Sequence, residues 1–268
     1  MKYEMSLMMG KRGLVMGVAN ERSIAWGIAR TLHKHGAQLA FTYQGEAFKK
    51  RVQPLAALTR SELVMPLDVE EPGGQKKIFE ILGQEWGTLD FIVHSLAYSD
   101  KAELSGRYLD VTLDNFIRTM HVSCFSFTET ARLAQPLMVT NGGSLITLTY
   151  YGAERVMPNY NIMGVAKAGL EASVRYLAAD LGPDNIRVNA LSAGPMRTLA
   201  GSAVASARKI FNWSQINAPL RRSITLDQLG DSALYLVSNL SGGVTGEIHH
   251  VDSGYNIVGL PYLSGNDK

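Results

Sequence analysis

Seven short runs of apolar and β-branched residues, spaced along the chain by longer stretches of helical periodicity, limit what this sequence can fold into more than any other feature. The runs are Gly13–Gly17, Gln38–Tyr43, Glu62–Pro66, Leu89–Val93, Ser144–Thr149, Ile186–Leu191 and Ile248–Val251. Most are apolar throughout rather than alternating, as strands covered on both faces should be, and the helical stretches between them supply the cover. Right-handed βαβ crossovers then give a parallel doubly wound sheet, with its ligand site outside the carboxyl ends of the strands where the strand order reverses.

The expected fold class is therefore α/β: a single-domain, Rossmann-like doubly wound parallel sheet of about seven strands with helices on both faces. The 268 residues carry no repeat, low-complexity tract or linker, so residues 1–268 read as one domain. A hydrophobic fraction of 46% is ample for a large core. The 26 basic and 24 acidic residues leave a formal charge of +2 with no basic cluster, so no nucleic-acid partner is expected. Nowhere do 18 or more apolar residues run together, and Met1 to Gly10 is only a broken apolar stretch before Lys11-Arg12, so neither membrane spanning nor export is expected. A lone Cys124 and six scattered histidines offer no internal disulfide and no zinc cluster, which fits a reducing cytoplasm.

Two irregularities stand out. Between Ser192 and Asp227 the chain makes a long excursion through Gly194-Pro195, a short amphipathic piece near Val204–Phe211, and Pro219. Loops of that length are often lids. The segment from Tyr160 to Leu181 is apolar in nearly every helical direction, and a helix apolar all round must be buried all round. A second subunit would provide the missing cover.

The first strand runs into Gly17, then Ser23 and Gly27, a strand-turn-helix junction that can aim free backbone N–H groups and a positive helix end at a pyrophosphate. Gly17 would make the tight turn, Ser23 would cap the helix and donate to phosphate, and Gly27 would let the helix approach the strand closely. Turn glycines with a serine cap also occur in many folds without a nucleotide. Further along, Gln44 stands where a carboxylate normally grips the adenosine ribose, and Lys49, Lys50 and Arg51 read as a solvated helix face. Asp68 and Val69 can offer a carboxylate and a backbone N–H to adenine, although an aspartate such as Asp68, taken alone, is more often a helix cap. Ser95-Leu96-Ala97 would line the cofactor path after the fourth strand.

At the other end of the cleft, Tyr150 closes the fifth strand, and Tyr160 and Lys167 lie seven residues apart at the start of the next helix. That is about two turns, so the two side chains fall within about 20° of one face. A lysine there can hold ribose hydroxyls and favour negative charge on a nearby phenol or substrate oxygen. Taken singly, Lys167 could be a snorkelling surface lysine and Tyr160 a buried aromatic with a wet hydroxyl.

Together, Gly17-x5-Ser23-x3-Gly27, Tyr150, Tyr160-x6-Lys167 and Ala193-Gly194-Pro195-Met196-Arg197-Thr198 resemble the NADH-using enoyl-acyl-carrier-protein reductases of bacterial type II fatty-acid synthesis, a divergent branch of the short-chain dehydrogenase/reductases. The likeness runs from about Lys11 to Ile257. The tyrosine-lysine spacing is its most specific element, because ordinary members of the superfamily have Tyr-x3-Lys and position 164 here is glycine. The ordinary serine at the end of the fifth strand is replaced by Thr149-Tyr150.

The resemblance implies reduction of a trans-2-enoyl thioester by NADH, with NADPH a less favoured cofactor, in a cytoplasmic homotetramer. It implies catalytic roles for Tyr160, Lys167 and Tyr150. Cofactor contacts would come from Gly17, Ser23, Ile24, Ala25, Gln44, Asp68, Val69, Ser95, Ala97, Lys167, Met196 and Thr198. Tyr98, Tyr150, Met163, Leu199, Ile210 and Phe211 would line the acyl slot, with residues about 192–226 as the substrate-binding loop. Arg208 and Lys209 would meet the acidic carrier protein, with Ala205 standing where many relatives have a further basic residue. No metal is expected. Two other readings carry different signatures. A dehydrogenase for alcohols or ketones is disfavoured by Gly164 and the missing serine, and a dinucleotide-sensing regulator without chemistry would be favoured by loss of Tyr160 or Lys167.

Overall fold

The computed structural model describes residues 6–199, 201 and 204–261. Its strands are β1 (Arg12–Met16), β2 (Gln38–Tyr43), β3 (Val64–Pro66), β4 (Phe91–His94), β5 (Gly143–Thr149), β6 (Ile186–Ala193) and β7 (Ile248–Val251). They form one parallel sheet in the order β3-β2-β1-β4-β5-β6-β7. The seven expected runs are the seven strands, with ends displaced by at most two residues. The displacements have local causes. β4 starts at Phe91 because the Asp90 carboxylate turns aside to take the Arg12 N–H and the Lys11 ammonium, each at 2.8 Å. β6 runs on to Ala193 because β7 pairs alongside it as far as Val251.

The helices are α1 (Ile24–Lys34), α2 (Gly45–Leu58), α3 (Gly74–Trp86), α4 (Leu113–Met120), α5 (Ser126–Met138), α6 (Ile162–Leu181), α7 (Ala207–Asn217) and α8 (Leu226–Val237). A π-helical turn over His121–Phe125 joins α4 to α5. Alternation within each strand divides the core in two. Val15, Phe41, Val93 and Ile146 pack under α1 and α8, while Leu14, Met16, Ile92 and Leu145 pack under α3, α5 and α6. Both faces are buried, which is why the strands read as unbroken apolar runs.

Gly27 has a different purpose from the one its spacing suggests. A Cβ there would lie 2.8 Å from the Leu226 Cβ, and one at Gly230 would lie 2.1 Å from the Thr31 hydroxyl. The glycines bring α1 against α8, not α1 against the strand. α6 begins at Ile162 rather than at the expected Tyr160, because Asn161 at φ +43° and ψ −123° is not helical, so Tyr160 lies outside the helix that carries Lys167. Met163, Ala166, Leu170, Val174 and Ala178 are in the core, but Val165 and Tyr176 remain 38% and 76% exposed in the single chain. No helix among the described residues is long and apolar enough to cross a membrane.

Candidate active site

The sheet order reverses between β1 and β4, and the chain leaves β1 through Gly17. Gly17 has φ +94°, and a Cβ on it would sit 2.1 Å from the Ser95 carbonyl oxygen. Only glycine fits, because the ends of β1 and β4 touch there. Ser95 donates its N–H back to the Met16 carbonyl at 3.1 Å, which holds Ser95 and Ala97 along the mouth of the crevice.

Ser23 is the N-cap residue of α1, but its side chain does not cap the helix. The hydroxyl oxygen instead accepts the N–H groups of Ala19 and Asn20 at 3.0 and 3.1 Å, tying the turn together. The first turn of α1, including Ile24 and Ala25, has no side-chain cap, and the Ser23 hydroxyl proton is free to donate outward. Across the crevice the Gln44 amide donates to the Asp68 carboxylate at 2.8 Å. Asp68 also accepts the Glu70 N–H at 2.9 Å, so it caps its own turn rather than α3, whose N-cap is Gly73. Val69 is buried among the apolar residues under β1 and β2. Lys49 pairs with exposed Glu46, as a solvated helix face should.

At the reacting end the tyrosines meet. The rings of Tyr150 and Tyr160 pack edge to face at 5.2 Å and 77°. Two glycines make room for them. A Cβ at Gly152 would lie 2.4 Å from the Tyr160 ring, and one at Gly164 would lie 2.8 Å from the Gly152 carbonyl. The absence of a side chain at position 164 is thus required by the Gly152 backbone, against which the Tyr160 ring packs. Asn159 and Asn161, at φ +63° and +43°, turn the chain into α6 so that Tyr160 projects toward β5. Burial and the nearby Glu171 carboxylate push the Tyr160 phenol well above the usual tyrosine range. It is therefore a protonated hydrogen-bond donor at neutral pH. The Tyr150 hydroxyl is pushed up too, chiefly by burial, and it has no fully formed hydrogen bond although the Tyr255 hydroxyl interacts with it.

Lys167 is 5% exposed and donates from Nζ to the Leu148 carbonyl at 2.7 Å. Burial lowers its pKa to about 8, with Cys124 and Glu171 opposing that shift. It is not a snorkelling surface lysine. Nor does its charge lower the phenol, whose shift is upward. Thr149, at the position of the ordinary serine, gives its hydroxyl to Glu171 at 2.7 Å and is closed to a substrate.

The acyl-slot residues converge in part. The Ser123 hydroxyl accepts the Tyr98 N–H at 2.9 Å and lies 3.7 Å from the Met163 sulfur, which sets Tyr98 and Met163 on neighbouring walls. The exposed Tyr98 ring carries the Arg118 guanidinium 4.1 Å from its centroid, and Arg118 also forks onto Glu70 with two 2.8 Å bonds. In the excursion, Met196 packs on the core, Thr198 closes a turn with Gly201, and the Leu199 side chain is about half exposed. The amphipathic piece is longer than expected, as α7 extends to Asn217, with Ile210 and Phe211 half-buried and Arg208 and Lys209 exposed. The Phe211 ring faces Arg197 at 4.5 Å. α7 reaches the tyrosine cluster through Trp213, which packs at 5.5 Å on Tyr255, itself 5.8 Å from Tyr151.

Trp213, Tyr255, Tyr151 and Glu171 are the residues sequence reasoning missed. No spacing links Tyr151, Tyr255 and Trp213, which meet only where the ends of β5 and β7 and helix α7 come together, whereas the step of four from Lys167 to Glu171 on α6 could have signalled Glu171. Among the described residues no three His, Cys, Asp or Glu side chains come together to hold a metal ion.

The family model described as Enoyl-(Acyl carrier protein) reductase matches residues 17–256. The chain is 62% identical over 257 residues to a Rhizobium meliloti protein named enoyl-[acyl-carrier-protein] reductase [NADH] 2, covering 96% of each chain. It is 53% identical over 253 residues to the Rickettsia felis enoyl-[acyl-carrier-protein] reductase [NADH], covering 94% of this chain and 97% of that one. The crystal structure of FabI from Candidatus Liberibacter asiaticus superposes with a TM-score of 0.93 at 57% identity, over 96% of this chain and 99% of the other. The enoyl-acyl-carrier-protein reductase of Anaplasma phagocytophilum, solved in complex with NAD, gives 0.92 at 55% identity, over 96% and 98%.

Proposed function

The chain belongs to the enoyl-(acyl carrier protein) reductase family and reduces enoyl thioesters with NADH, and from that premise we propose that Tyr160, Lys167 and Tyr150 carry the reaction at the carboxyl edge of β5. The supporting observations are the packing of a protonated Tyr160 on Tyr150, which follows the last residue of β5, and the burial of Lys167 against the Leu148 carbonyl of that same strand.

The residues fit NADH. The positive-φ turn at Gly17 carries the chain from β1 toward α1, the first turn of α1 has no side-chain cap, and Lys167 commits only one of its three donors to Leu148. Gly17, Ser23, Ile24 and Ala25 would hold the pyrophosphate, Gln44, Asp68 and Val69 the adenosine, Ser95 and Ala97 the ribose-phosphate path, Lys167 the nicotinamide ribose, and Met196 and Thr198 the nicotinamide side. When bound, NADH supplies the hydride to the β-carbon of the enoyl thioester.

As negative charge gathers on the thioester oxygen, the Tyr160 O–H donates to it. That bond is stronger to an enolate than to a neutral carbonyl, so it lowers the barrier instead of merely tightening substrate binding. Tyr150 backs the Tyr160 ring and keeps water from it. Tyr98, Met163, Leu199, Ile210 and Phe211 form the walls for the acyl chain. The loss of absorbance at 340 nm with NADH and crotonyl thioester tests this reading. Turnover of an acetoacetyl thioester alone would indicate a ketone reductase, and cofactor binding without turnover of either would indicate a sensor.

Lys167→Ala is expected to raise KM for NADH about tenfold or more, the worth of a charge-assisted hydrogen bond of about 1.5–3 kcal/mol. An unchanged KM removes the ribose role. Arg208 and Lys209 stand exposed at the start of α7, where positive charge would speed encounter with an acidic carrier protein. Replacing both is expected to lower kcat/KM for carrier-protein substrates several-fold while sparing coenzyme A thioesters. Equal losses would refute docking at these residues.

The exposed Val165 and Tyr176 on α6 support a homotetramer, in which a neighbouring subunit covers them. The single buried cysteine supports a cytoplasmic location.

A further inference from the structure

Glu171 lies one turn beyond Lys167 on α6, and the two side chains reach consecutive residues of β5. Lys167 Nζ donates to the Leu148 carbonyl at 2.7 Å, and the Thr149 hydroxyl donates to Glu171 Oε1, also at 2.7 Å. Both side chains are buried, at 5% and 6% exposure. A carboxylate is rarely taken out of water without a purpose, since desolvation disfavours its charge. Its hydrogen-bond partner here is a neutral hydroxyl, so that bond alone does not account for a charge in this place.

We propose that Glu171 is a positioning residue for the reduction: with Lys167 it clasps the end of β5, and its negative charge keeps the Lys167 ammonium charged and aimed at the nicotinamide ribose. The inference rests on the role assigned to Lys167 above. The clasp fixes α6 lengthwise against β5, and with it the seat of Tyr160, whose ring is wedged between Gly152 and Tyr150.

The electrostatic surroundings of the pair are mixed. Lys167 is faced by neutral His94 on β4 and by Cys124 in the π-helical turn. Burial raises the Glu171 pKa above the usual carboxylate value, the Thr149 hydroxyl opposes that rise, and of the more distant charges Glu154 after β5 raises it while His250 on β7 and Arg175 on α6 lower it. Glu154 and His250 are themselves paired at 2.8 Å. Tyr160 is protonated and contributes no charge at neutral pH. Of these groups, Glu171 is the carboxylate that supports the buried ammonium, and it opposes the desolvation that has already brought Lys167 down to about 8.

The test is the NADH dissociation constant, followed by cofactor fluorescence from pH 6 to 9.5, for the parent, Glu171→Gln and Thr149→Val. Gln keeps the shape and can still accept from Thr149, but it carries no charge. Parent affinity is expected to weaken as Lys167 deprotonates. In Glu171→Gln that weakening should begin about one pH unit lower, the size of a neighbouring-charge effect at the small end of its range. Thr149→Val, which loosens the carboxylate while leaving it in place, should move the midpoint the same way by less. Variants that bind NADH with the parent midpoint would overturn the proposal. A parent whose affinity does not titrate at all would instead overturn the Lys167 assignment, and this inference with it.

Discussion

Tyr160→Phe is expected to lower kcat on a crotonyl thioester by about 10²–10³-fold, or about 2.7–4 kcal/mol, with a much smaller effect on KM. The substitution deletes one oxygen from a ring whose packing is otherwise complete. The edge-to-face contact with Tyr150 and the fit against Gly152 are made by carbons and survive in Phe. What disappears is a donor used most strongly when the thioester oxygen is anionic. The magnitude holds only if no other group takes over, and Tyr150 is the candidate, since its hydroxyl is buried with no fully formed hydrogen bond. Comparing Tyr160→Phe, Tyr150→Phe and the double variant separates the roles. Parental turnover in Tyr160→Phe would remove the phenol from the chemistry.

Acid should destabilise the fold through His94. Its ring is fully buried, with Nδ1 3.0 Å from the Thr147 hydroxyl and Nε2 2.9 Å from the Ser126 hydroxyl. The Ser126 hydroxyl already donates to the Val122 carbonyl at 2.7 Å, so its oxygen is an acceptor toward the ring. The hydrogen bonding thus assigns the proton of a neutral imidazole to Nε2, while Nδ1 and the His94 carbonyl, 3.0 and 3.2 Å from the Thr147 hydroxyl, share its one proton. Burial, and then the charge on Lys167, lower His94 from 6.5 to about 3.

Between those values the unfolded chain binds a proton that the folded chain refuses. The stability contributed is full above about pH 6.5 and is lost as pH falls toward 3, at about 1.4 kcal/mol per pH unit. From pH 6.5 to 4.5 this amounts to about 2–3 kcal/mol, a large share of the stability of a typical domain. Urea unfolding at several pH values checks it. His94→Asn should be less stable than the parent near neutrality but should lose stability less steeply across this window. Parallel slopes would show that other groups govern the acid response.

Much of this protein can be read from its residues in order. The period of apolar residues set seven strands and their helices, because a strand covered on both faces has no polar side to show. Gly17 was legible as a tight turn. The Tyr160-Lys167 spacing, read as two turns of one helix, was not a safe guide, because α6 begins only at Ile162 and the non-helical Asn161 stands between the two residues. Pairings between distant residues were not legible in that way. Ser23 tying the turn rather than capping α1, Gly27 meeting α8, Thr149 closed by Glu171, and Trp213 joining Tyr255 each depend on neighbours supplied by remote segments. Sequence periodicity reports which side of an element faces inward. It carries no record of which atoms wait there, so the tertiary structure alone decided that the Tyr160 phenol is buried and stays protonated, that Lys167 is buried against the Leu148 carbonyl, and that Glu171, one turn on, is buried against Thr149.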